Sequence, residues 1–440
     1  MKTIVLDDDP TGTQCASNVA VLLDWDTQSI VKALSQADSV YIQTNSRALS
    51  EADAVALATR IKSEGDQASQ LLNEPIEYVL RGDSTMRGHI FSETSVFLKP
   101  NSSILFLPAY PEVGRTTIDG VHYVLIEGVN TPAHKTEFAN DPVFSFTSGT
   151  MADFVTEKSD RTAVPIALDL VRLGANSLAQ IFRDVPAGSV IVPDAQTDAD
   201  IEIIADAVKL LRNDAAPLVV RSAAPLAALL AGVRSTSLLH GPLMGTSPFS
   251  VLLVAGSHTA GATSQLADIQ ARWGQPVVID TERAMQDPQA AAQEAIAEVK
   301  AQISNSSFGF VTSQRNRRQE DNTLHHGEMV MKAIIATVQG VAALVDVVVA
   351  KGGITSAEVA RAGIGAKEAW VLGQILPGIS AWKLKNASGR EYLYIVVPGN
   401  VGNHDTLIKT SEIVGMSYRA TTGFVRIPIP SISSSTLSPT

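Results

Sequence analysis

Residues 345–361, VDVVVAKGGITSAEVAR, restrict the fold more than any other stretch. A β-branched apolar run stops at Lys351, Gly352 and Gly353 follow, and Thr355 and Ser356 open a helix-like segment. A strand passing into a helix through two glycines is a join found in parallel α/β sheets. It has two readings. Either it is a plain tight turn, or it builds an anion pocket, with backbone N–H groups freed by the glycines converging and the helix start adding about half a unit of positive charge.

Two further segments repeat the design. SVLLVAGSHTAGATSQ carries a strand over 251–254 into Gly256, Ser257, His258 and Thr259, and EYLYIVVPGNVGNHDTL carries one over 392–397 into Gly399, Asn400 and Gly402. Three strands that all end in glycine and small polar residues imply one shared pocket at their C-terminal ends, where open parallel sheets bind ligands. Phosphate is the guest such a pocket suits. Its candidate contacts are Ser257, Lys351, Gly352, Gly353, Ile354, Thr355, Gly399, Asn400 and Gly402.

Short β-rich runs alternate with Ala-rich amphipathic segments along the whole chain, which predicts parallel sheets with crossover helices. Strands are expected at 3–6, 39–44, 76–80, 103–107 and 189–192, and helices at 50–63, 198–212, 260–273 and 288–304. A chain of 440 residues exceeds one ordinary hydrophobic core. Residues 235–250, rich in Gly, Pro and Ser, mark a junction between domains 1–240 and 241–440. Residues 112–151 read as a folded insertion or lid, or else as a surface loop, and the chain from about 426 as an irregular tail. The fold class is therefore α/β: two domains, each a mainly parallel sheet flanked by helices, with the active site in the cleft between them.

A net charge of -11 disfavours nucleic acid and anionic membranes as partners. The one cysteine, Cys15, excludes an internal disulfide; three acids follow the first strand, and no apolar run reaches bilayer length, so a soluble, cytoplasmic protein is expected. Arg315, Arg317 and Arg318 form the one dense basic cluster, read as a solvated or nucleotide-facing loop. His325 and His326 are adjacent and point in different directions on a helix, so a helix start or the edge of a nucleotide site is expected there.

In the first half the strand ends are charged. Asp7, Asp8 and Asp9 follow TIVL directly, and three adjacent carboxylates persist best where a metal, a cationic residue or a substrate hydroxyl neutralises them. Strand 76–80 runs into Arg81, Asp83, Ser84, Arg87 and His89, and strand 39–44 into Arg47. Guanidinium forks match a carboxylate bidentately and aspartates accept from sugar hydroxyls, a set suited to a small polyhydroxylated acid. Asp8 and Asp83 are the candidate proton acceptors, and Asp7, Asp9, Arg47, Arg81, Ser84, Arg87 and His89 the candidate substrate contacts.

These segments resemble the four-carbon acid sugar kinase family through DDDPTGTQ, QTNSRAL, RGDSTMRGH, PAYPEVGRTTIDGVHYV, TEFANDPVF, AGSHTAGATSQL, AKGGITSAEVA and PGNVGNHDTL, in that order along nearly the whole chain. The resemblance implies an acid-sugar-binding N-terminal domain and a nucleotide-binding C-terminal one. It also implies ATP with Mg²⁺ as cofactors and a threonate, erythronate or 3-oxo-tetronate as substrate. By position it implies ATP contacts at Ser257, the loop 352–355 and Gly402, and acceptor contacts at Asp8, Arg47 and the loop 81–87. Homodimerisation is a default expectation. A second reading takes IVLDDDPTGT as the DxDxT pattern of haloacid dehalogenase-like phosphatases, with Asp7 as nucleophile, Asp9 as acid/base and magnesium as counterion.

Overall fold

The computed structural model describes residues 1–215, 217–245, 248–315 and 324–416, with two further short strands at Tyr418–Arg419 and Gly423–Phe424. Arg317, Arg318 and the expected tail lie outside the described residues. The expected strands form as Lys2–Asp7, Ser39–Gln43, Ile76–Arg81, Ile104–Leu107 and Val190–Pro193 in the first half, and Val251–Ala255, Val347–Lys351 and Glu391–Val397 in the second. Helices form at Asp198–Leu210, Ala260–Trp273 and Pro288–Ser306.

The helix expected over 50–63 continues to Leu72. Gly65 does not break it, because a β-carbon there would overlap the Tyr78 hydroxyl; the glycine is what lets the helix lie on its strand. Asn73, at φ 52°, then closes it in the left-handed conformation.

The two parallel blocks are joined into one continuous 15-stranded sheet. The second half contributes Val277–Ile279, Phe308–Ser313, Val251–Ala255, Val347–Lys351 and Glu391–Val397, all parallel, followed by the antiparallel hairpin Ile379–Asn386 and Ala366–Leu376. The outer hairpin strand pairs antiparallel with Val19–Leu22, which begins the parallel first-half block. Three reversals in succession leave the blocks running in opposite directions.

In a flat sheet their C-terminal ends would lie on opposite edges. The hairpin carries register shifts between Ala366 and Ala369, Val371 and Gly373, and Gln374 and Leu376, and such irregularities bend and twist a strand pair. Gly353 and Asp9, which follow one strand of each block, lie against each other, so the sheet is not flat across the hairpin. Trp382, fully buried on the hairpin, donates from Nε1 to Thr13 Oγ1 at 2.9 Å, and Ser380 Oγ lies 3.1 Å from the same hydroxyl. One apolar core runs through the junction, holding Val5, Tyr41, Trp382, Tyr394 and Val254 together.

Residues 112–151 are folded: Arg115–Ile118, Val121–Ile126 and Val129–Pro132 form a separate antiparallel sheet. Between 235 and 250 the described residues form no helix or named strand. The expectation that no apolar run reaches bilayer length needs correcting, since His325–Leu344 is long and apolar enough to cross a membrane. Its Val330, Ala333, Ile334, Val338 and Val341 are buried in the same core as the sheet.

Trp382→Ala removes a large buried side chain and leaves Thr13 without its indole donor. The variant should lose about 3–5 kcal/mol of stability, measured by urea unfolding.

Candidate active site

Asp7 ends the first strand, and Pro10–Cys15 turns at once into a 3₁₀ helix whose first N–H groups need an acceptor. Asp9 supplies it: its Oδ1 accepts from Thr11 N at 2.8 Å and from the Thr11 hydroxyl. The chain can pass this close only because residue 12 is glycine, since a β-carbon there would overlap the Asp7 carboxylate. Arg81, at the end of the adjacent strand, answers the crowding of charge. Its Nη1 donates to Asp7 Oδ1 at 3.2 Å and to Asp8 Oδ1 and Asp9 Oδ1 at 3.0 Å each. Of the neutralising partners the sequence left open, a guanidinium fills the role here.

A second layer of cations surrounds these acids. Arg47 pairs with Asp9, and its Nε and Nη1 lie 3.5 Å from Asp8 and 3.6 Å from Asp83. Arg221 reaches Asp8 at 3.4 Å and Glu93 at 2.9 Å. Arg87 Nε donates to Asp83 at 2.7 Å, while its Nη1 is 3.7 Å from Asp141. Burial pushes the Asp7 carboxyl up to about 7 against the pull of Arg81. Burial acts in the same sense on Asp83, but Arg87, Arg47 and the Thr85 hydroxyl outweigh it and hold that carboxyl well below the usual range.

The loop 82–89 is held open above Asp8. Gly88, at φ +126°, would put a β-carbon 3.4 Å from Asp8 Oδ2 and 3.3 Å from Arg221 Nη2, so only glycine leaves that space free. His122, on the small antiparallel sheet, braces the loop through Nε2 to Ser84 O at 2.9 Å while its Nδ1 lies 3.0 Å from Thr117 Oγ1. Burial pulls this imidazole down to about 4, so it is neutral, with Nε2 as donor and Nδ1 as acceptor.

In the second half the three glycine-bearing loops converge on Ser257. A β-carbon on Gly399 would lie 2.5 Å from its hydroxyl, and one on Gly352, at φ +113°, 3.1 Å from its Cβ. Gly256 would likewise strike the Thr355 hydroxyl. Thr259 donates to Gly399 O at 2.6 Å, tying the first loop to the third. The helix after Lys351 begins at Gly353, so the amides of Gly353, Ile354 and Thr355 have no carbonyl partner within it. Ile354 is exposed and Thr355 buried. The result is a cradle of glycines around the Ser257 hydroxyl, edged by backbone donors, which fits a polyphosphate.

Lys351 takes no direct part in that edge. It is fully buried and donates to Pro398 O at 2.6 Å, which holds the loop carrying Gly399, Asn400 and Gly402. Burial, reinforced by the charge of Arg315, pulls its ammonium down to about 7.

The cradle and the acid cluster meet. A β-carbon on Gly353 would overlap the Asp9 carboxylate and come within 3.2 Å of Arg47 Nη2. Asn45 donates to Glu358 at 3.0 Å, and Arg115 donates to Asn400 O at 2.7 Å. Asp7, Asp8, Asp9, Arg47, Arg81, Asp83 and Arg87 are thus gathered at one place. His89 stands apart, with Nε2 3.0 Å from Leu49 O and its ring edge-on to Phe144. Arg221, Arg115 and Glu93 were not singled out from the sequence, although Val219–Ser222 is another apolar strand that ends in arginine and serine. The phosphatase reading gains no support: its nucleophile, Asp7, is buried beneath the 3₁₀ turn and bonded to Arg81, and the glycine loops of the second half have no part in it.

Comparison with known proteins agrees with this division. A family model described as a sugar-binding N-terminal domain matches residues 3–230, and one described as a nucleotide-binding C-terminal domain matches residues 252–407. The chain is 29% identical over 332 residues to a D-threonate kinase of Salmonella typhimurium, covering 74% of each protein. It is 28% identical over 283 residues to a D-threonate kinase of Bordetella bronchiseptica, covering 60% of this chain and 62% of that one. A solved Haemophilus influenzae protein shares the fold with a TM-score of 0.60 at 19% identity, over 93% of this chain and 100% of the other. A Salmonella typhimurium protein described as a tRNA synthase does so with a TM-score of 0.67 at 17% identity, over 93% and 98%, and that likeness concerns fold alone. The protein is an α/β carbohydrate kinase with a sugar-binding and a nucleotide-binding domain. It belongs to the four-carbon acid sugar kinase family.

The buried ammonium of Lys351 carries a pH signature. With its value lowered from 10.5 to about 7, the unfolded chain binds more protons between those limits, so this group makes stability rise with pH across that window. In Lys351→Met that rise should vanish. Urea unfolding from pH 7 upward should show wild type gaining on the variant, and a constant difference would contradict the assignment.

Proposed function

We propose that the protein transfers the γ-phosphoryl group of ATP to a hydroxyl of a four-carbon acid sugar, with threonate, erythronate or 3-oxo-tetronate as the candidate acceptors. The observation that carries this reading is the approach of Gly353 to Asp9 and Arg47, which sets a phosphate cradle against a guanidinium and carboxylate cluster. Similarity to D-threonate kinases supports the choice of acceptor class.

The work divides at that contact. Ser257 and the amides of the loop 352–355, with the backbone around Gly399, Asn400 and Gly402, hold the triphosphate. Among the described residues no group of three or more His, Cys, Asp or Glu side chains is arranged to hold a metal ion. Mg²⁺ would therefore be held mainly by the phosphates, with Asp9 the nearest carboxylate to the loop, and it would neutralise charge on the transferred group. Arg115, bonded to Asn400 O, brings a guanidinium from the sugar-binding half to the third loop.

On the acceptor side Arg87 and Arg47 are the cations with exposed side-chain surface, at 21% and 11%, against 3% for Arg81. They, with Ser84, fix the acid carboxylate, while Arg81 holds Asp7, Asp8 and Asp9 in place. Asp8 accepts the hydroxyl proton. The alternative, Asp83, is held in its ionised form by Arg87 and Arg47, and a carboxylate of such low basicity is a weak proton acceptor. The domain division falls between 240 and 241, inside the irregular stretch 235–250.

A coupled ADP assay over a panel of threonates, erythronates and oxo-tetronates tests the reading; no ATP consumption with any of them would end it. Arg87→Ala should raise KM for the acid about 10- to 100-fold, the ~1.5–3 kcal/mol of a hydrogen bond to a charged group, with ATP affinity nearly unchanged. Gly353→Val should abolish ATP binding in calorimetry, since its side chain would fill the contact between cradle and cluster; retained binding would move the nucleotide elsewhere.

A further inference from the structure

The arginines gathered near the acid cluster are of two kinds. Arg47, Arg81, Arg87 and Arg221 each pair with at least one carboxylate. Arg115 does not. It is buried, and among the described residues its guanidinium bonds only to carbonyl oxygens, those of Val113 and Asn400, the second at 2.7 Å. Its Nε is buried with no partner. A guanidinium stays protonated at any working pH, so a full positive charge is held out of water here without a bonded counter-ion. Burial pulls this group down from its ordinary value, against the nearby charge of Asp83.

An anion is what such a group lacks, and its surroundings indicate which. The turn from Tyr110 to Arg115 projects from the sugar-binding half and is closed by backbone bonds between its ends, Tyr110 N to Arg115 O at 2.8 Å and Arg115 N to Tyr110 O at 3.0 Å. It is wedged against the third glycine loop, since a β-carbon on Gly378 would lie 2.7 Å from Val401 Cγ1 and 3.1 Å from Val113 Cγ1. Asn400, which the guanidinium bonds, follows Gly399, where a β-carbon would lie 2.5 Å from Ser257 Oγ. On the acceptor side, Asp83 lies 3.6 Å from Arg47 Nη1, and Arg47 Nη2 comes within 3.2 Å of a β-carbon built on Gly353. Arg115 is thus tied to the cradle at Asn400 and coupled by charge to the acceptor cluster at Asp83.

We propose that Arg115 is a catalytic residue, a cation that the sugar-binding half supplies to the nucleotide half to neutralise the phosphoryl group during its transfer. The proposal deepens the kinase reading and rests on it. In the step, the acceptor hydroxyl oxygen forms a bond to the γ-phosphorus and the bond from that phosphorus to the β–γ bridging oxygen breaks. ADP leaves with the electron pair, and the hydroxyl proton passes to Asp8. Arg115 gives up no proton. Its Nε–H, with the Nη–H groups not held by Val113 and Asn400, donates to the oxygens of the group in transit, over which the negative charge is spread. The two carbonyls fix the guanidinium beforehand, so little reorganisation is needed when that charge develops.

A purely structural role, holding the third loop through Asn400 O, predicts a different pattern. In Arg115→Ala, kcat should fall about 10³-fold while ADP affinity, read by calorimetry, is kept. Arg115→Lys retains the charge without the planar fork and should recover only part of that loss. Added guanidinium chloride should raise kcat of Arg115→Ala and leave that of wild type no higher. With thermal melts confirming folding, an unchanged kcat overturns the proposal. So does a loss of ADP affinity equal to the loss of kcat, which assigns the residue to holding the loop. A measurement free of substitutions is a crystal structure of wild type with ADP, aluminium fluoride and D-threonate: Arg115 donating to the fluoride group supports the proposal, and a fluoride group that Arg115 does not touch refutes it. If wild type consumes no ATP with any acid of the panel, the kinase reading fails first, which is a separate outcome.

Discussion

One buried guanidinium organises the sugar-binding half. Asp7, Asp8 and Asp9 stand side by side at the end of the first strand with almost no access to water, an arrangement that repulsion and desolvation would otherwise disperse. Arg81 bonds to all three through a single nitrogen and to Thr11 through another, at 3.0 Å. It comes from the neighbouring strand, whose register sets Asp7 opposite Arg81, so strand pairing and charge pairing are the same event. Arg47 and Arg221 add further positive charge beside Asp8 and Asp9, and Arg87 pairs with Asp83 at the outer, partly exposed side.

The nucleotide half solves the opposite problem, that of presenting backbone amides with little more than small hydroxyls beside them. Gly256, Gly352 and Gly399 each stand where a β-carbon would collide with Ser257 or Thr355. Lys351 and Thr259 lock the third loop to the other two through carbonyls. The irregular hairpin between the halves turns two opposed parallel blocks into facing surfaces, and Trp382 fixes that turn against Thr13. Catalysis by positioning and charge neutralisation needs little more than such a pair of surfaces.

Much of this was legible in the sequence. The strand-to-glycine pattern at 251–259, 345–355 and 392–402 named the loops that meet at Ser257, and the charged strand ends at Asp7, Arg47 and Arg81 named most of the acid cluster. What escaped depends on long-range pairing. The hairpin 366–386 has no clean two-residue alternation, because its register shifts break the period and its faces pack on both halves. Arg221 and Arg115 lie 140 and 34 residues beyond Arg81 in the chain, and only the fold brings them to Asp8 and Asn400. Lys351 was read as a ligand contact because position alone cannot show that its ammonium turns inward to Pro398.

The central claim is that nucleotide and acid sugar occupy opposite sides of the contact between Gly353 and Asp9. A crystal structure with a non-hydrolysable ATP analogue and D-threonate tests it most directly. The account expects the terminal phosphate on the amides of residues 353–355 and the threonate carboxylate beside Arg87 and Arg47, with one hydroxyl facing Asp8. A triphosphate lodged among the arginines of the first half, with the glycine loops empty, would contradict it.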